Sequence, residues 1–501
     1  MTAMRYSLAL ALLALSSVAA AAEPAPPRRT VDTDDVPTPA RVLRVAEGGN
    51  LQAALDEARP GDQIALAPGA AFTGAFVLPA KPGNGWIVVR TDAPEGDLPP
   101  RGTRMTPDLS PRLAKILAAG KEPAIQTAPG AHHWRIMGVE IALAPSVPKS
   151  YGLVAVGTFD QTSTEAIPHH IVLDRVYVHG RPDANVRRGV ALNGADAAVI
   201  DSTVAEIHEA GADAQAVGGS TGPGPFKIVN NTLEGSGENV MFGGADPKIR
   251  DLVPSDIEIR GNHVVKPLTW MKGHPSYAGT EWTVKNLLEL KNARRVVIDG
   301  NLFEQNWSAA QKGFGIVFTV RNQDGGSPWS VVEDVAFTNN VVRRVGSAIN
   351  VLGTDDLHPS GPTRRILIRN NLFEDVGGPW GGKGRFLQLV DGTADVVVER
   401  NTVAQTGEIV AVSGRPHARF VFRDNVAPQN EFGIAGDDHF GDPMGTLAAY
   451  CPGASVTGNV IEGGDPKKYP KGNAFKKDGA KGADARALSR ALGAGKRSRA
   501  G

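Results

Sequence analysis

The sequence predicts an all-β chain that winds into a solenoid of short, stacked coils. A short strand of alternating apolar and polar residues, followed by Asn and another apolar residue, recurs eight times. The composition agrees, because 59 Gly, 36 Pro and only 6% aromatic residues favour many short elements and turns over long helices. One coil cannot bury its apolar side alone, whereas stacked coils bury it against each other. The aligned asparagines are Asn231, Asn262, Asn301, Asn340, Asn371, Asn401, Asn425 and Asn459, separated by 31, 39, 39, 31, 30, 24 and 34 residues.

Each repeat predicts one bend of the solenoid. Asn tolerates the left-handed backbone of a tight turn, and its amide can hydrogen-bond the next Asn of the stack. Residues 171–178 and 198–205 are interpreted as earlier coils, with Arg175 and Ser202 at the Asn position. A β-propeller is the alternative, but each blade would need about four strands, more than one repeat of this sequence offers.

The pattern resembles the right-handed parallel β-helix proteins of the pectate-lyase-like superfamily over residues 42–464. The resemblance implies a right-handed parallel β-helix with a short N-terminal capping helix. Leu51, Ala54, Leu55 and Ala58 have the helical spacing expected for that cap. Such a fold does not specify an activity, since it carries lyases, hydrolases, epimerases and binding proteins.

The two ends of the chain differ from the repeats. Residues 1–22 predict a signal peptide, because Arg5 precedes an apolar run that is too short to span a bilayer easily, and small residues follow it. Residues 23–41 are interpreted as an N-terminal linker, and residues 465–501 as a basic, flexible C-terminal tail. We therefore expect a secreted or periplasmic monomer without a membrane span. The balance of 53 basic and 53 acidic residues argues against a nucleic-acid partner.

A second strand of each coil carries the candidate site. Setting residues 287–292 over 317–322 places Leu288 and Leu290 inward. Glu289 then lies outward over Thr319, and Lys291 lies outward over Arg321. Asn350 and Gln388 extend the Glu289–Thr319 column on the next two coils. Stacked Lys291 and Arg321 repel each other, which suits a site for an anion; alternatively, Glu289 and Lys291 form an ordinary solvated surface pair.

This arrangement also resembles polysaccharide lyase family 6, the alginate- and dermatan-type lyases, over about 40 residues. The resemblance implies that Lys291 is the catalytic base and Arg321 the catalytic acid, and that Ca²⁺ is a possible cofactor. The chain departs from that pattern at residues 306–313, which add length, and upstream of the lysine. There, Lys285 and Asn286 stand where acidic calcium ligands are expected. The metal candidates are Asn286, Glu289 and Asp324.

Long polar loops between residues 270 and 380 carry five of the seven tryptophans and are expected to wall a groove in which rings stack on sugars. For any single Trp, simple packing is the alternative. Asp355 and Asp356 could serve as the carboxylate pair of a hydrolase, in a loose resemblance to polygalacturonases. Alternatively, they form an ordinary acidic turn. The candidate substrate-binding residues are Glu289, Asn322, Asn350, Gln388, His274, Trp329, Asp355, Asp356, His358 and Trp380.

The resulting hypothesis is an exported β-helix protein that cleaves an acidic, uronic-acid-containing polysaccharide by β-elimination. Two alternatives stay open. One is a glycoside hydrolase that uses Asp355 or Asp356 with another carboxylate, such as Asp324 or Asp391. The other is a non-catalytic glycan-binding or cell-surface β-helix protein.

Overall fold

The structure, a computed structural model, describes residues 21–34 and 38–476 and consists mainly of three long parallel sheets. Residues 1–20 of the predicted signal peptide and residues 477–501 of the predicted tail lie outside the described residues. Each coil contributes one strand to each sheet in turn, which is the architecture of a parallel β-helix. The all-β, parallel β-helix prediction is thus confirmed.

The first sheet has 14 strands. They are Arg41–Val45, Asp62–Leu66, Ile87–Thr91, His132–Met137, His169–Asp174, Ala195–Ile200, Phe226–Val229, Ser255–Arg260, Ala293–Asp299, Val332–Thr338, Thr363–Arg369, Ala394–Glu399, Val421–Arg423 and Ser455–Thr457.

The second sheet also has 14 strands. They are Ala71–Gly74, Lys115–Ala118, Glu140–Leu143, Tyr177–His179, Thr203–Ile207, Thr232–Gly235, His263–Val265, Leu302–Asn306, Val341–Val345, Leu372–Val376, Thr402–Gln405, Val426–Pro428, Val460–Glu462 and Ala474–Lys476.

The third sheet has 12 strands. They are Phe76–Leu78, Ile125–Thr127, Val154–Val156, Arg188–Leu192, Gln215–Gly219, Glu238–Phe242, Asn286–Leu290, Phe314–Thr319, Ser347–Leu352, Leu387–Val390, Val410–Ser413 and Ile434–Gly436. A short parallel pair, Lys149–Ser150 and Asn185–Val186, lies outside the three sheets.

Within residues 21–34 and 38–476, two α-helices and five short 3₁₀ helices accompany the sheets. Helix α1 (Leu51–Glu57) begins after Asn50, whose side chain accepts a hydrogen bond from the backbone of Ala53, and it buries Leu51 and Leu55 in the core. Helix α2 (Pro443–Tyr450) packs against the strand Ile434–Gly436 of the third sheet. The 3₁₀ helices are Glu95–Asp97, Pro107–Arg112, Leu268–Trp270, Gly378–Trp380 and Pro466–Lys468. No helix among the described residues combines the length and apolar character that crossing a membrane requires.

The asparagines form a continuous buried ladder at the bend between the first and second sheets. The Oδ1 atom of Asn340, for example, accepts the backbone N–H and the side-chain amide of Asn301 at 2.9 and 3.0 Å. The Nδ2 atom of Asn340 donates to the carbonyl of Ile298 and to Asn371. The predicted amide ladder is therefore confirmed, and Asn473 extends it by one coil beyond Asn459.

Two details of the predicted bend are wrong. The left-handed conformation falls on the residue before each Asn, for example Asn339 (φ 56°) before Asn340. Arg175 (φ 50°) occupies this preceding position, so it is not at the Asn position of its coil. Ser202 does occupy the Asn position, where its backbone N–H donates to Asn231. The reason is steric: the residue before the Asn turns the corner while the Asn side chain points into the stack.

The coils also extend past the predicted boundary at residue 464. The strand Ala474–Lys476 pairs with Val460–Glu462 in the second sheet. Hydrogen bonding by Asn473 explains this addition, because it satisfies the backbone N–H of Asn459 at 3.0 Å.

One column on the outer face of the first sheet, here called the outward column, holds left-handed residues on successive coils. Later in the chain the column consists of ion pairs between adjacent coils, Asp256–Arg295, Asp334–Arg365 and Asp395–Arg419. Strand alternation would turn neighbouring side chains to opposite faces, but the left-handed backbone keeps these largely buried carboxylates on the outer face of the sheet.

The N-terminal segment that was predicted as a linker lies along this outward column. The backbone N–H groups of Ala22, Ala25 and Arg28 donate to Asp395, Asp334 and Asp256 at 3.0, 2.9 and 2.9 Å. These donors are three residues apart, and the acceptors are two coils apart. A chain rising about 3.1 Å per residue, as polyproline II does, advances about 9.3 Å in three residues, which matches roughly two strand spacings. The proline-containing segment is therefore commensurate with the coils that it crosses.

Candidate functional site

The predicted polar row lies on the outer face of the third sheet, but in a different register. Leu288 pairs with Ile316, Glu289 with Val317 and Leu290 with Phe318, so the strand is displaced by two residues from the predicted alignment. Val317, rather than Thr319, is therefore the residue beside Glu289 on the next coil. The extension through Asn350 and Gln388 is present, because Val317 pairs with Asn350 and Asn350 with Gln388.

Glu289 and Lys291 are not the exposed surface pair considered from the sequence. The side chain of Glu289 is 4% exposed and that of Lys291 is 15% exposed, and Lys291 Nζ lies 3.8 Å from Glu289 Oε1. Glu289 also accepts hydrogen bonds from Asn286 Nδ2 at 3.1 Å and from Thr319 Oγ1 at 3.4 Å. Loops from neighbouring coils cover the row, which strand alternation cannot reveal.

Glu238, on the preceding coil, adds a second carboxylate. It is fully buried, pairs in register with Asn286, and accepts a hydrogen bond from Gln215 Nε2 at 2.6 Å. Lys285 lies 3.6 Å from it and also contacts Asp213. Burial, together with the charge of Glu289, raises the pKa of Glu238 to about 7. The row therefore holds a carboxyl group that changes its charge near neutral pH.

The raised pKa of Glu238 predicts a pH-dependent stability. Between its ordinary value of 4.5 and about 7, the folded state holds a proton that the unfolded chain has released. The free energy of unfolding therefore falls as the pH rises through this window, by on the order of 3 kcal/mol, because only the unfolded chain gains by releasing the Glu238 proton. We expect Glu238→Gln to become more stable than the wild type by that amount between pH 4.5 and 7, as measured by chemical unfolding.

The exposed glutamate variant Glu281→Gln is the matched control for this pH effect. Glu281 lies on the surface beside Lys272, so its replacement should leave the difference from the wild type nearly constant across the window. An equal pH dependence for the wild type and Glu238→Gln would show that Glu238 keeps an ordinary pKa.

Arg321 is adjacent to Lys291 through the backbone but contacts different carboxylates. Its backbone N–H donates to the carbonyl of Lys291 at 2.8 Å. Its Nη1 atom donates to Asp355 at 2.7 Å and also contacts Asp356. Among the described residues, no hydrogen-bond partner engages its Nε or Nη2, so these N–H groups can serve a ligand.

Asp355 and Asp356 are better explained as supports for Arg321 than as a hydrolytic pair. Asp355 is almost fully buried and also accepts the backbone N–H groups of Asn322 and Leu357 at 2.8 and 3.0 Å. Although burial opposes it, the hydrogen bonds from Leu357 and Asn322 and the contact with Arg321 hold the pKa of Asp355 below its usual value. A carboxylate held ionised in this way is a poor proton donor.

A second carboxylate, Asp246, organises the loop that follows Arg321. It accepts hydrogen bonds from the backbones of Gln323, Asp324 and Gly326 and from the Ser327 hydroxyl, at 2.7–2.9 Å. The turn that precedes Asp246 requires a glycine at position 243. Gly243 has a φ of 95°, and a Cβ there would lie 2.5 Å from the Asn292 nitrogen.

Of the other predicted site residues, some lie in the row and others lie in loops outside it. Gln388 Nε2 donates to Asn350 at 3.1 Å, so these two residues do meet on the third sheet. His358 lies beside Gly325, close to the loop that Asp246 organises. His274 hydrogen-bonds Ser276 within its own loop. The indole N–H of Trp329 donates to the carbonyl of Leu252, and the carbonyl of Trp380 accepts the backbone N–H of Ser308. Neither hydrogen bond connects these tryptophans to the row.

Three of the five loop tryptophans are packing residues. Trp270, Trp282 and Trp307 are buried together with Val284 in a separate apolar cluster, and His208 stacks on Trp282 at 3.8 Å. The expectation that the cluster walls a sugar groove is therefore wrong for these three rings, because they cover the loop's own apolar surface.

Two cavities flank the row on the same sheet. One, of about 210 Å³, lies on the earlier coils beside Arg188, Gln215 and Met241. The other, of about 330 Å³, lies on the later coils and includes Gln388. Its charged and aromatic lining residues are Lys312, Phe314, Lys383, Arg385, Glu408, Asp437 and Phe440. The row and the two cavities together are called the third-sheet groove.

The residues present do not fit a calcium site. Asn286 Nδ2 donates a hydrogen bond to Glu289 Oε2 at 3.1 Å. The carboxylates of Glu289 and Glu238 already form ion pairs with Lys291 and Lys285, at 3.8 and 3.6 Å. Asp324 lies on the exposed loop held by Asp246. Calcium prefers six to eight oxygen ligands, and this set combines few oxygens with two cations. We therefore derive no chemical step through calcium.

Several groove residues were missed from the sequence. Glu238 lies in the glycine-rich stretch 237–247, which can be interpreted either as a turn or as a source of ligands, and it begins a regular strand of the third sheet. Asp213 and Gln215 lie on one coil and Lys285 on another, and none of them carried a local signal. Two exposed aromatic residues also lie at the groove: Phe440, 58% exposed, lines the later cavity, and Phe159, whose ring centroid is 4.6 Å from the Arg188 guanidinium, lines the earlier one.

Together, the fold and the site define a parallel β-helix protein with a charged, partly buried groove on one sheet. No protein-family model matches the sequence, and no curated protein matches it significantly. Among solved structures, the chain is similar to a mannuronic-acid-specific polysaccharide family 6 lyase from human gut microbiota. The identity is 11%, the match covers 90% of this chain and 94% of that chain, and the TM-score is 0.54.

Two further solved structures share the general shape. The chain is similar to the catalytic unit of a thermostable α-1,3-glucanase from Streptomyces thermodiastaticus, with 12% identity over 89% of this chain and 69% of that chain and a TM-score of 0.49. It is also similar to a surface adhesin of Streptococcus pneumoniae. The identity is 9%, the match covers 86% of this chain and 88% of that chain, and the TM-score is 0.43. The similarity to the lyase confirms the predicted fold resemblance, and the activity has to be argued from the groove.

Proposed function

We propose that this chain is an exported, carbohydrate-active enzyme that cleaves a uronic-acid-containing polysaccharide by β-elimination in the third-sheet groove. The observation that carries the proposal is the near-complete burial of a Lys–Glu pair and a second carboxylate on the outer face of a sheet. Removing such charges from water is costly, and neutral residues would serve a scaffold equally well. A buried carboxyl group with a raised pKa, such as Glu238, that lies in a cleft marks a functional site more often than a scaffold position.

Lys291 and Arg321 have separate roles in the proposed reaction. Lys291 Nζ, as the neutral amine, takes the proton from the carbon next to the uronic carboxylate. The electron pair released there forms a carbon–carbon double bond as the bond to the leaving glycosidic oxygen breaks, and that oxygen then takes up a proton. Arg321, held by Asp355 and Asp356 through Nη1, stabilises the negative charge that develops on the substrate carboxylate.

The flanking cavities supply binding energy for neighbouring sugars. Lys312 and Lys383 provide positive charge beside the later cavity, which suits a repeated anionic sugar, whereas Arg385 is paired with Glu408 at 3.0 Å. The exposed ring of Phe440 can stack on a sugar face. The same features favour a second candidate, a glycan-binding protein without catalysis, because they hold a polyanion whether or not Lys291 reacts.

A product screen with the wild-type protein tests the proposed reaction. Alginate, pectate, glucuronan and glycosaminoglycans are each incubated with the protein, with and without calcium. β-Elimination leaves a double bond conjugated to the carboxylate, so near-ultraviolet absorbance should rise together with new reducing ends. New reducing ends without absorbance would establish hydrolysis. Neither signal, together with measurable binding, would establish the non-catalytic candidate and overturn the proposed reaction.

A further inference from the structure

Two pairs of consecutive histidines meet on the first sheet, separate from the third-sheet groove. His132 and His133 begin one strand, and His169 and His170 begin the strand of the next coil. The register places His132 beside His169. The rings therefore stack in two columns, with centroid distances of 4.8 Å for His132–His169 and 4.4 Å for His133–His170.

The backbone explains why all four rings share one face. His133 and His170 have left-handed φ values of 58° and 55°. Alternation along a regular strand would turn consecutive side chains to opposite faces, whereas here both members of each pair are half-buried on the outer face. The Nδ1 atoms are consequently 2.8 Å apart in the His132–His133 pair and 2.7 Å apart in the His169–His170 pair.

This cluster departs from the rest of the outward column. At the later coils, an Asp with left-handed backbone conformation forms an ion pair with an Arg of the same conformation, so the two charges neutralise each other. Here two successive coils present imidazoles instead. Burial and the neighbouring histidines lower the pKa of His133 to about 4, and burial also lowers the pKa of His169 and His170. Two successive coils bring four imidazole rings together at one place on the outer face.

We propose that His133, His169 and His170 bind one divalent transition-metal ion of the Zn²⁺, Cu²⁺ or Ni²⁺ class. One ring nitrogen from each of the three lies within 4.8 Å of the others. Zinc holds imidazole nitrogens at about 2.0–2.1 Å, so modest side-chain rotations at these strand ends close the site. Imidazole also selects these ions over calcium and magnesium.

Neighbouring groups are placed to support the ion. His132 contacts His133 through Nδ1, and Trp86 covers His133 at a centroid distance of 5.3 Å. Asp196 follows on the next coil and is held by Arg29 at 2.6 Å. The ion would join two consecutive coils, and this role is independent of the function proposed for the groove.

Zinc titration of the chelator-treated full chain, prepared without a histidine tag, tests the site. By calorimetry we expect one Zn²⁺ per chain with a Kd of about 1 μM or lower. The double variant His133→Asn/His170→Asn should bind at least about 100-fold more weakly. Asn is chosen because it tolerates the left-handed backbone that both positions require. Visible absorption of bound Co²⁺ provides a second readout of nitrogen coordination.

His274→Asn is the matched control, since His274 is confined to its own loop, and it should bind Zn²⁺ like the wild type. Circular dichroism without metal establishes that each variant is folded, and His169→Ala replaces the double variant if that one is not. Wild-type binding weaker than about 1 mM would overturn the proposal, as would equal Zn²⁺ affinity in the wild type and the cluster variant.

Discussion

Replacing Lys291 by arginine is expected to reduce turnover about 10²–10⁴-fold, the contribution usually made by a positioned general base. Arginine keeps the positive charge beside the buried carboxylate of Glu289, so the charge balance of the row is retained. It cannot lose a proton at ordinary pH, however, and therefore cannot act as the base. Lys291→Ala is a less clean test, because it would leave Glu289 buried without its cation.

The measurement is steady-state kinetics on the substrate identified by the product screen. Loss of a base should lower kcat and leave KM nearly unchanged. Lys272→Arg is the matched control, because Lys272 also lies beside a glutamate, Glu281, at 2.9 Å, but both are largely exposed. Nearly full activity in folded Lys291→Arg would remove Lys291 from the mechanism. A fall in both variants would indicate a general effect of exchanging lysine for arginine, unrelated to a catalytic base.

Replacing Asn340 by alanine is expected to lower the free energy of unfolding by about 3–5 kcal/mol, because at least two buried backbone groups lose a partner. The substitution removes the acceptor of the Asn301 N–H and the donor to the Ile298 carbonyl. Both groups are enclosed in the stack and cannot turn to water. Asn340→Asp should be similarly costly, since it brings an oxygen against the Ile298 carbonyl instead of a donor.

The measurement for the ladder is denaturant unfolding combined with hydrogen exchange of the neighbouring coils. Exchange is included because a solenoid can open locally before it unfolds as a whole. The adjacent variant Asn339→Gly is the matched control: glycine accepts the left-handed φ of 56°, and only an exposed hydrogen bond to Asp299 is lost. Equal stability of Asn340→Ala and Asn339→Gly would show that the amide ladder contributes little.

The register of the third sheet shows where sequence analysis stops. The predicted alignment put Glu289 beside Thr319, and the structure puts it beside Val317. A slip of two residues keeps every apolar side chain on the inner face, so the alternating pattern fits both alignments equally well. Only the lengths and packing of the connecting loops distinguish them.

The environment of the candidate residues was likewise set by distant parts of the chain. Lys291 was expected on a solvated surface, but Gly243 and the strand bearing Glu238 approach it from the preceding coil. Arg321 was predicted as the catalytic acid from its place beside Lys291, and Asp355 and Asp356 reach it from the following coil. Both pairs of contacts join residues more than 30 positions apart, so no local pattern encodes them.

By itself, the sequence determined the coil. Alternating strands and an Asn at each bend are local signals, repeated often enough that one misread coil, such as that of Arg175, does not change the architecture. The tertiary structure alone decided the register, the burial of the Glu238–Glu289–Lys291 row, and the meeting of the two histidine pairs. The reason is physical: alternation has a period of two and reports only which face a side chain takes, whereas a site depends on which coil lies beside it.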